Sequence, residues 1–408
     1  MRVLFLAVSF PSPTNTLLGP WALRQAQAIQ RAGAEIHVIR FTPWFPHVVR
    51  NFSRIRRVAA APQSYKWGDL GVKYLRWPLY QAGWLRRQSY ENPWAQAEIS
   101  FAFVRAPLLR EINSFRPDII YAHHTWVSGY VAYRLHKLTG IPYVVTDHDF
   151  DEIGDCERFP HRKEFFQTVQ PNASCMVDVS KRMQEIRRRI FPEINSRVVY
   201  NGADPIPENM FHASRPVDIV GRTVISCVSM WYERKGIPKL VEAFSAIGGE
   251  FPAAVLRLVG DGPDRPAVMA AVAASPVRDR IHILGSQPHE RAMQEMCWSD
   301  IYALIGRDEP FATTFTEAMM AGLPLIWPSD CGHNDILADG LNGIMVPPLD
   351  VPATSAALRK LLGDGELRER FGERNRMTAE RQLTWDANVR AMLALMGASR
   401  GTAAPAPP

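Results

Sequence analysis

The feature that most constrains the fold is a series of short apolar runs, each followed by a stretch with helical spacing. In the first half these runs are RVLFLAVSF, EIHVIRF, DIIYAHH, IPYVVTDHD and ASCMVDVS. In the second half they are TVISCVSM, AVLRLVGDG, RIHILG, DIYALIG, LPLIWP and GIMVPP. Buried strands that alternate with helices form βαβ units and a parallel sheet. The sequence therefore predicts an α/β chain with two Rossmann-like halves.

The pattern stops once and then restarts, which divides the chain into domains. The length of 408 residues also suits two domains better than one core. We predict a first domain at 1–204, a polar linker at 205–221, a second domain at 222–370, a C-terminal helix at 371–396 and a disordered, Pro-rich tail at 397–408. Two such halves are expected to face each other across a cleft, where the loops at the carboxyl ends of the strands bind ligands.

The cysteines and the apolar runs indicate a cytoplasmic protein. Five cysteines are dispersed without a C-x-x-C pair, which favours reduced thiols over disulfides or structural zinc. No apolar run approaches the roughly 20 residues that cross a bilayer. The opening MRVLFLAVSF could be a signal peptide, but it is short and PSPTN follows it, so a first buried strand fits better.

Residues 50–110 form a basic segment that is rich in aromatic residues. They contain 11 Lys and Arg against three acidic residues, whereas the rest of the chain has 36 basic and 38 acidic residues. Its tryptophans and tyrosines are Trp67, Trp77, Trp84, Trp94, Tyr65, Tyr74, Tyr80 and Tyr90. This composition suits an anionic membrane surface, and also stacking on single-stranded nucleic acid. A solvated helical insertion with inward aromatics is the third reading, and we expect no nucleic-acid partner.

Two neighbouring cations follow the first strand of the second half. Arg234 and Lys235 lie in a loop between TVISCVSM and a helical stretch. Arg, through its planar fork, and Lys, as a point charge, could hold a diphosphate there. Two solvated surface cations are the alternative interpretation.

The stretch EPFATTFTE, residues 309–317, combines a helix start with two carboxylates. Thr314 and Glu317 fit a capping box, in which Glu317 turns back onto the backbone of Thr314. Capping explains Glu317 but leaves Glu309 without a structural task. A helix that opens at a ligand site offers free N–H groups to a phosphate, and the small residues Ala312 and Thr313 allow close approach.

Histidines and acids follow two strands of the first half. His123 or His124 could contact an acceptor, or either could be a hydrogen-bonded structural residue. The cluster Asp147, Asp149, Asp151, Glu152 and Asp155 with His148 follows the next strand. Its spacing matches no established ligand pattern, so we expect no metal.

In this order and spacing, the motifs resemble those of the family-4 retaining glycosyltransferases of the GT-B fold, from the first strand to about Met396. The first half contributes FPSPTNTLLGPWALRQAQAIQRAGAEIHVI, RPDIIYAHH, GIPYVVTDHDFD and VVYNGAD. The second half contributes ERKGIPKLVEAF, LRLVGDGP, RIHILGSQPHERAMQEMCWSDIYAL, EPFATTFTEAMMAGLPLI and DGLNGIMVPPLD. TWDANVRAML is similar to the C-terminal helix that crosses back to the first domain.

The resemblance implies a nucleoside-diphosphate (NDP) sugar as co-substrate, with no other cofactor and no metal. For the donor it implies that Glu317 holds the ribose and that Glu309 contacts the sugar hydroxyls. It also implies that Lys235 offsets charge on the leaving diphosphate. The other implied donor-binding positions are Gly19, Arg234, Phe311, Ala312 and Thr313. On the acceptor side it implies His123, near the acceptor hydroxyl and the anomeric carbon, and His148.

Two positions depart from the family pattern. The family carries an Arg five residues before its Lys, where this chain has Met230, and the neighbouring Arg234 could substitute for it. The family's E-G-F-G is Glu309-Pro310-Phe311-Ala312 here. Since Pro310 has no N–H to donate, the diphosphate contacts shift to the amides that follow.

The resemblance therefore implies a retaining glycosyltransferase that acts on a glycan or lipid-linked acceptor in surface polysaccharide or glycolipid synthesis. The basic 50–110 segment favours an anionic acceptor held at the inner face of the membrane. A non-catalytic nucleotide-sugar-binding partner, suggested by Met230, and a sugar-nucleotide 2-epimerase of the same fold are the alternatives. The sugar, base, acceptor and linkage remain open.

Overall fold

The computed structural model describes residues 1–16, 18–78 and 83–400. They divide into two compact units. Unit 1 contains Met1–Asn201 and the helix that begins at Trp385, and unit 2 contains Gly202–Thr384. Each unit has its own sheet with helices that pack on it, as the alternating apolar runs predict.

Unit 1 has a sheet in the order β3-β4-β2-β1-β5-β6-β7-β8. Every paired strand is parallel to its neighbour except β3, which is antiparallel to β4. In chain order the elements are β1 (Arg2–Ala7), α1 (Pro20–Arg31), β2 (Glu35–Pro43), α2 (Ser53–Ala59), β3 (Ser64–Trp67), β4 (Leu70–Trp77), α3 (Gly83–Glu91), α4 (Trp94–Phe115), β5 (Ile119–His123), α5 (Tyr130–Thr139), β6 (Tyr143–Asp147), α6 (Phe150–Gly154), α7 (Pro160–Val169), β7 (Cys175–Asp178), α8 (Lys181–Ile190) and β8 (Ser196–Val198).

Unit 2 has a parallel sheet in the order β11-β10-β9-β12-β13-β14. Its elements are α9 (Glu208–Phe211), β9 (Thr223–Val228), α10 (Ile237–Ile247), β10 (Ala254–Val259), α11 (Arg265–Ala274), β11 (Ile281–Gly285), α12 (His289–Cys297), β12 (Ile301–Ala303), α13 (Thr313–Met320), β13 (Leu325–Pro328), β14 (Gly343–Val346), α14 (Val351–Gly363) and α15 (Gly365–Gln382). The last helix, α16 (Trp385–Arg400), belongs to unit 1.

The core of unit 1 joins the two ends of the chain. Apolar side chains of α1 and α16 pack on one face of the sheet together with Phe5 of β1. From α16, Trp385, Val389 and Met392 are buried in this core. A buried hydrogen bond of 2.7 Å from Gln25 to Asn388 connects the two helices. The C-terminal helix is therefore an integral part of the first unit.

Two of the predicted domain boundaries are wrong. Residues 205–221 are not a free linker, because unit 2 begins at Gly202 and Ile219 is fully buried beside Val224 and Trp298. The single helix at 371–396 is two helices, α15 in unit 2 and α16 in unit 1, which are separated at Leu383 and Thr384. Of the predicted tail, residues 397–400 are helical and 401–408 lie outside the described residues.

The interpretation of 50–110 as a purely helical insertion is also wrong. Its strands β3 and β4 extend the sheet, and β4 pairs with β2. Tyr74 and Trp77 are buried, whereas Trp84 is exposed, so the aromatic residues do not share one environment. Tyr80 lies outside the described residues.

Of the helices in the described ranges, none has the length and apolar character that a membrane span requires.

The packing of α15 on α13 yields a test of unit 2. A Cβ at Gly372 of α15 would lie 2.0 Å from the carbonyl oxygen of Gly322, which ends α13 with a φ of 73°. We expect Gly372→Ala to lower the free energy of unfolding by about 1–3 kcal/mol, because the helices must separate. Gly363→Ala is the control, since nothing lies within 4 Å of its Cβ. Urea unfolding measures both, and equal stability of the two variants would contradict the close packing.

Candidate functional site

Glu309 lies at the centre of the polar groups in unit 2. Its side chain is 1% exposed, in the turn between β12 and α13. The Lys235 ammonium lies 2.7 Å from Oε2, and Nη1 of Arg234 donates to Oε1 at 3.1 Å. The backbone carbonyl of Glu309 accepts a 2.8 Å hydrogen bond from Gly332. One buried carboxylate therefore holds both cations.

The loops that carry these groups pack directly on each other. Arg234 and Lys235 lie in a short 3₁₀ turn between β9 and α10. The backbone N–H of Arg307 donates to the carbonyl of Arg234 at 2.7 Å. A Cβ at Gly306 would lie 2.5 Å from that same carbonyl oxygen, so only glycine permits the approach. Because β9 and β12 are neighbours, their following loops meet at the carboxyl edge of the sheet.

Two interpretations from the sequence are corrected by this arrangement. Arg234 and Lys235 are not two independent solvated cations, since both pair with the same carboxylate. Glu309 is not without a structural task, because it neutralises part of their charge. Lys235 and Arg234 keep side-chain exposures of 12% and 33%, so each still reaches the surface. Two cations and one anion leave a net positive charge that suits an anionic ligand.

The predicted capping box at the start of α13 is wrong. The helix begins at Thr313, with Ala312 as the N-cap and no side-chain cap. Thr314 lies inside the first turn, and its hydroxyl hydrogen-bonds the buried phenol of Tyr302. Glu317 lies 3.8 Å from Nδ1 of His289, and its side chain is partly exposed. Because Thr314 lies inside the helix, it is not the N-cap residue that the predicted capping box requires.

His333 fixes the turn before α13. The ring of Phe311 stacks on His333 with a centroid distance of 3.8 Å. Nε2 of His333 lies 3.2 Å from the hydroxyl of Thr316, and burial lowers the pKa of His333 to about 3. Phe311 therefore packs inward, while Ala312 and Thr313 are partly exposed next to the first N–H groups of the helix. The sequence offered no signal for His333, because a lone His after a strand has no distinctive spacing.

In unit 1, the turn into α1 meets the end of β5. Gly19 has a φ of 66°, and a Cβ there would lie 2.4 Å from the carbonyl oxygen of Ser9, so the turn requires glycine. Two residues later, Trp21 stacks on His123 at 5.2 Å and lies 4.1 Å from His148. Trp21 was not predicted from the sequence, although its position directly after Gly19-Pro20 could have indicated it.

His123 and His148 form a buried imidazole pair. Nδ1 of His123 lies 3.1 Å from Nε2 of His148. Burial lowers the pKa of both side chains well below the usual range, so both are neutral at pH 7. Nε2 of His123 is buried and has no hydrogen-bond partner among the described residues. A ligand hydroxyl could therefore complete the bonding of this atom.

His124 differs from His123 in charge. Its Nδ1 lies 2.9 Å from Glu152. Burial by itself lowers the pKa of His124, but the charges of Glu152, Asp149 and Asp147 outweigh it and raise the pKa to about 9. His124 is therefore an imidazolium in a buried ion pair, and it has a φ of 70°. Burial and charge therefore give these two successive histidines different protonation states.

One group of side chains has the spacing of metal ligands. Atoms of His124, Asp147 and Glu152 lie within 4.8 Å of one another. Asp147 accepts bonds from the N–H and hydroxyl of Thr125, at 2.6 and 2.8 Å, and from Arg187 at 2.8 Å. Glu152 is paired with His124. These bonds occupy the oxygens that a cation would need, so the group fits an ion-pair network better than a metal centre.

The site residues predicted from the sequence thus fall into two sets. Gly19, His123 and His148 are brought together in unit 1 by Trp21. The second set lies in unit 2 around Glu309, and comprises Arg234, Lys235, Glu309, Phe311, Ala312, Thr313 and Glu317.

Two family models match the chain. The model described as "Glycosyltransferase Family 4" matches residues 20–206, and the model "Glycosyl transferases group 1" matches residues 215–378. Between them they match most of both units.

Individual proteins are similar over long stretches. Alpha-D-kanosaminyltransferase of Streptomyces kanamyceticus is 25% identical, over 69% of this chain and 76% of its own. Glycogen synthase of Mycobacterium tuberculosis is 22% identical, over 100% of this chain and 97% of its own. The crystal structure of Anabaena HepE in complex with UDP has a TM-score of 0.71 and 18% identity, and covers 98% of this chain and 100% of HepE.

The ion pairs of Glu309 can be tested by stability. We expect Glu309→Gln to lower the free energy of unfolding by about 1–3 kcal/mol, since it leaves Lys235 and Arg234 close together without a counter-charge. Glu233→Gln is the matched control, because Glu233 is 90% exposed and lies 3.8 Å from Arg307. The control should stay within about 0.5 kcal/mol of the parent. Thermal and urea unfolding measure the difference, and similar values would mean that Glu309 does not stabilise the turn.

Proposed function

Because the chain belongs to glycosyltransferase family 4 and has the GT-B fold, we propose that it transfers a sugar from an NDP-sugar, with retention, to a glycan or lipid-linked acceptor. The observation that carries this proposal is the position of Lys235 and Arg234. Both are held on buried Glu309 at the carboxyl edge of the sheet, near the N-terminus of α13. Cations and helix amides together form a binding site for a diphosphate.

In the proposed donor complex, the diphosphate contacts Lys235, Arg234 and the amides from Phe311 to Thr313. Glu317 binds the ribose hydroxyls, and its partial exposure beside His289 is compatible with that role. Glu309 positions the two cations and also contacts hydroxyls of the sugar. HepE was crystallised with UDP, which makes UDP-sugars the first donors to examine.

Arg234 supports catalysis in place of the family Arg that Met230 replaces. The side chain of Met230 is exposed and cannot bind phosphate. Arg234 lies within 3.1 Å of the same carboxylate as Lys235, which keeps its guanidinium next to that ammonium. The diphosphate site therefore has two cations despite the substitution, and this favours an enzyme over a non-catalytic binding partner.

The proposed chemical step needs no metal ion. Lys235, Arg234 and the helix amides stabilise the charge that grows on the leaving diphosphate as the bond from the anomeric carbon breaks. The acceptor hydroxyl attacks from the same face, and the departing phosphate oxygen takes its proton. His123 is neutral, and its unpartnered Nε2 hydrogen-bonds the acceptor hydroxyl and orients it. His148 holds the ring of His123 in place.

A ligand screen tests the donor site. We expect a UDP-, GDP- or ADP-sugar at 100 times its Kd to stabilise the chain by about 2.7 kcal/mol in thermal unfolding. Lys235→Met should remove most of this stabilisation and lower transfer or donor hydrolysis by about 10²–10³-fold. Lys239→Met is the control, since Lys239 lies nearby on α10 and pairs only with Glu242 in the described structure.

Two results would count against the proposal. Donor binding with no turnover in either the parent or the Lys235 variant would indicate a non-catalytic partner. A new sugar nucleotide formed without any acceptor would indicate an epimerase. Product analysis by mass spectrometry and NMR separates these outcomes, and the anomeric configuration of the product tests retention.

We further propose that the acceptor is met at the inner face of an anionic membrane, in the cytoplasm. Trp44, Val48, Phe52 and Phe103 are exposed, and the rings of Trp44 and Phe103 lie 6.4 Å apart. Two arginines close in sequence to these residues are exposed as well, Arg56 on α2 and Arg105 on α4. Apolar side chains beside cations suit insertion at the level of lipid headgroups.

Vesicle flotation tests this membrane contact. We expect the chain to float with phosphatidylglycerol vesicles at low salt and not with phosphatidylcholine vesicles, because anionic lipid attracts the basic segment. Phe52→Ser and Phe103→Ser should weaken flotation, whereas Met377→Ser, at an exposed position of α15, should not. Equal behaviour with both lipids would contradict the proposal.

A further inference from the structure

Arg40 is a buried cation that the proposed transfer reaction does not use. It lies near the carboxyl end of β2, and its side chain is 4% exposed. Nε and Nη1 are both buried and have no hydrogen-bond partner in the described ranges. The centroid of the Tyr74 ring lies 5.5 Å from the guanidinium carbon of Arg40, which is a cation–π contact. A cation–π contact offsets only part of the cost of removing a charge from water.

The charges around Arg40 are positive. Arg76 follows two residues after Tyr74 on the adjacent strand β4, and it donates to the carbonyls of Val58, Ala59 and Ala61 at the end of α2. Burial first, and then the charge of Arg76, lower the pKa of Arg40 to about 10. No carboxylate pairs with Arg40 or Arg76 within residues 1–16, 18–78 and 83–400. The end of this strand pair therefore has excess positive charge.

A second unused polar group shares the face of Arg40. The hydroxyl of Thr42, two residues further along β2, is buried and has no hydrogen-bond partner in the part of the chain that the structure describes. Residues two apart in a strand point to the same side of the sheet. Buried polar groups are almost always bonded in folded proteins. Two guanidinium nitrogens and a hydroxyl that lack partners among the described residues, on the same face of one strand, therefore indicate a missing ligand.

We propose that Arg40 and Thr42 bind an oxyanion, and that this is a phosphoryl group of the acceptor. The assignment to the acceptor rests on the proposed glycosyl transfer, whereas the oxyanion site itself does not. The planar guanidinium fork matches phosphate oxygens in pairs, and the hydroxyl of Thr42 adds a further donor. The ligand supplies the counter-charge that the chain does not.

The position of this site agrees with an acceptor role. The phenol of Tyr74 donates to the carbonyl of Pro11 at 2.9 Å, in the same loop that ends at Gly19 and leads to Trp21 beside His123. The sheet order places β1 between β2 and β5, so the strands that carry Arg40 and His123 are two spacings, or roughly 10 Å, apart. One acceptor molecule could therefore contact both, with its phosphoryl group at Arg40 and its hydroxyl at His123.

Thermal unfolding with inorganic phosphate tests the site on the full chain. At constant ionic strength we expect phosphate to raise the Tm of the parent and of Arg188→Met, which removes an exposed arginine of the same unit. Arg40→Met should lose the part of this response that comes from the Arg40 site. Without phosphate its Tm should equal or exceed that of the parent, because an unpaired buried charge is gone. The measured quantity is the difference in phosphate-induced Tm shift between the parent and Arg40→Met. Phosphate bound at Lys235 contributes equally to both shifts and does not affect this difference.

The proposal is overturned if Arg40→Met responds to phosphate like the parent, or if it folds but unfolds at a lower temperature in chloride, which would make Arg40 a structural residue. If Arg40→Met does not fold, phosphate binding is tested with Arg40→Lys instead. This variant keeps the charge but loses the fork, and it should bind phosphate at least tenfold more weakly than the parent. Unchanged affinity would overturn the proposal.

Two further probes distinguish the source of the phosphoryl group. A response to glycerol 3-phosphate that depends on Arg40 indicates a soluble phosphorylated acceptor. Flotation with phosphatidylglycerol vesicles that depends on Arg40, without a response to glycerol 3-phosphate, indicates a lipid phosphodiester. If neither the response to glycerol 3-phosphate nor the flotation depends on Arg40, the proposed site is overturned. Binding of the NDP-sugar found in the donor screen should be unchanged in Arg40→Met. Absence of binding to every NDP-sugar in the parent would contradict the proposed function while leaving the phosphate result intact.

Discussion

The contact of Glu309 with Lys235 and Arg234 organises the polar end of unit 2. The three side chains come from two loops that follow neighbouring strands, and they meet because β9 and β12 are adjacent and parallel. Burial makes the carboxylate a strong acceptor, and partial exposure lets both cations reach a ligand. Without this anion the two like charges would repel each other and separate the loops. The same geometry stabilises the turn and, in the proposed transfer reaction, places two cations where they can stabilise the charge on the leaving diphosphate.

In unit 1, burial and ion pairing give neighbouring histidines different charges. His123 and His148 are neutral because burial, and then the charge of neighbouring imidazoles, lower their pKa values, whereas His124 is charged because Glu152 lies 2.9 Å away. Two successive residues of the chain therefore have opposite protonation behaviour. The neutral imidazole can accept a hydrogen bond from a hydroxyl, and the imidazolium belongs to a network that includes Asp147. Together with Arg40, the unit contains two kinds of unsatisfied buried group, and each suits one part of a phosphorylated acceptor.

Much of the fold could be predicted from local runs of apolar residues, which indicate strands whatever the rest of the chain contains. Apolar runs such as RVLFLAVSF predicted strands because fully buried parallel strands must be continuously apolar. The sequence did not predict β3 and β4, because basic and aromatic residues mask their alternation. The sequence also predicted one C-terminal helix where α15 and α16 are two. Both segments have helical patterns, and the break between them depends on packing and not on a local signal. The apparent capping box failed for a similar reason, as Thr314 bonds to Tyr302 instead.

The sequence by itself determined the two-unit α/β architecture and the family, and it indicated Lys235, Glu309 and His123 as candidate site residues, because strand periodicity and ordered motifs are local properties. Only the tertiary structure decided which contacts those residues make. It paired Glu309 with both cations, stacked Trp21 on His123 and left Arg40 buried with no anion from the described residues beside it. Partners and pKa values depend on distances and burial between segments far apart in the chain, and a linear sequence does not contain these distances.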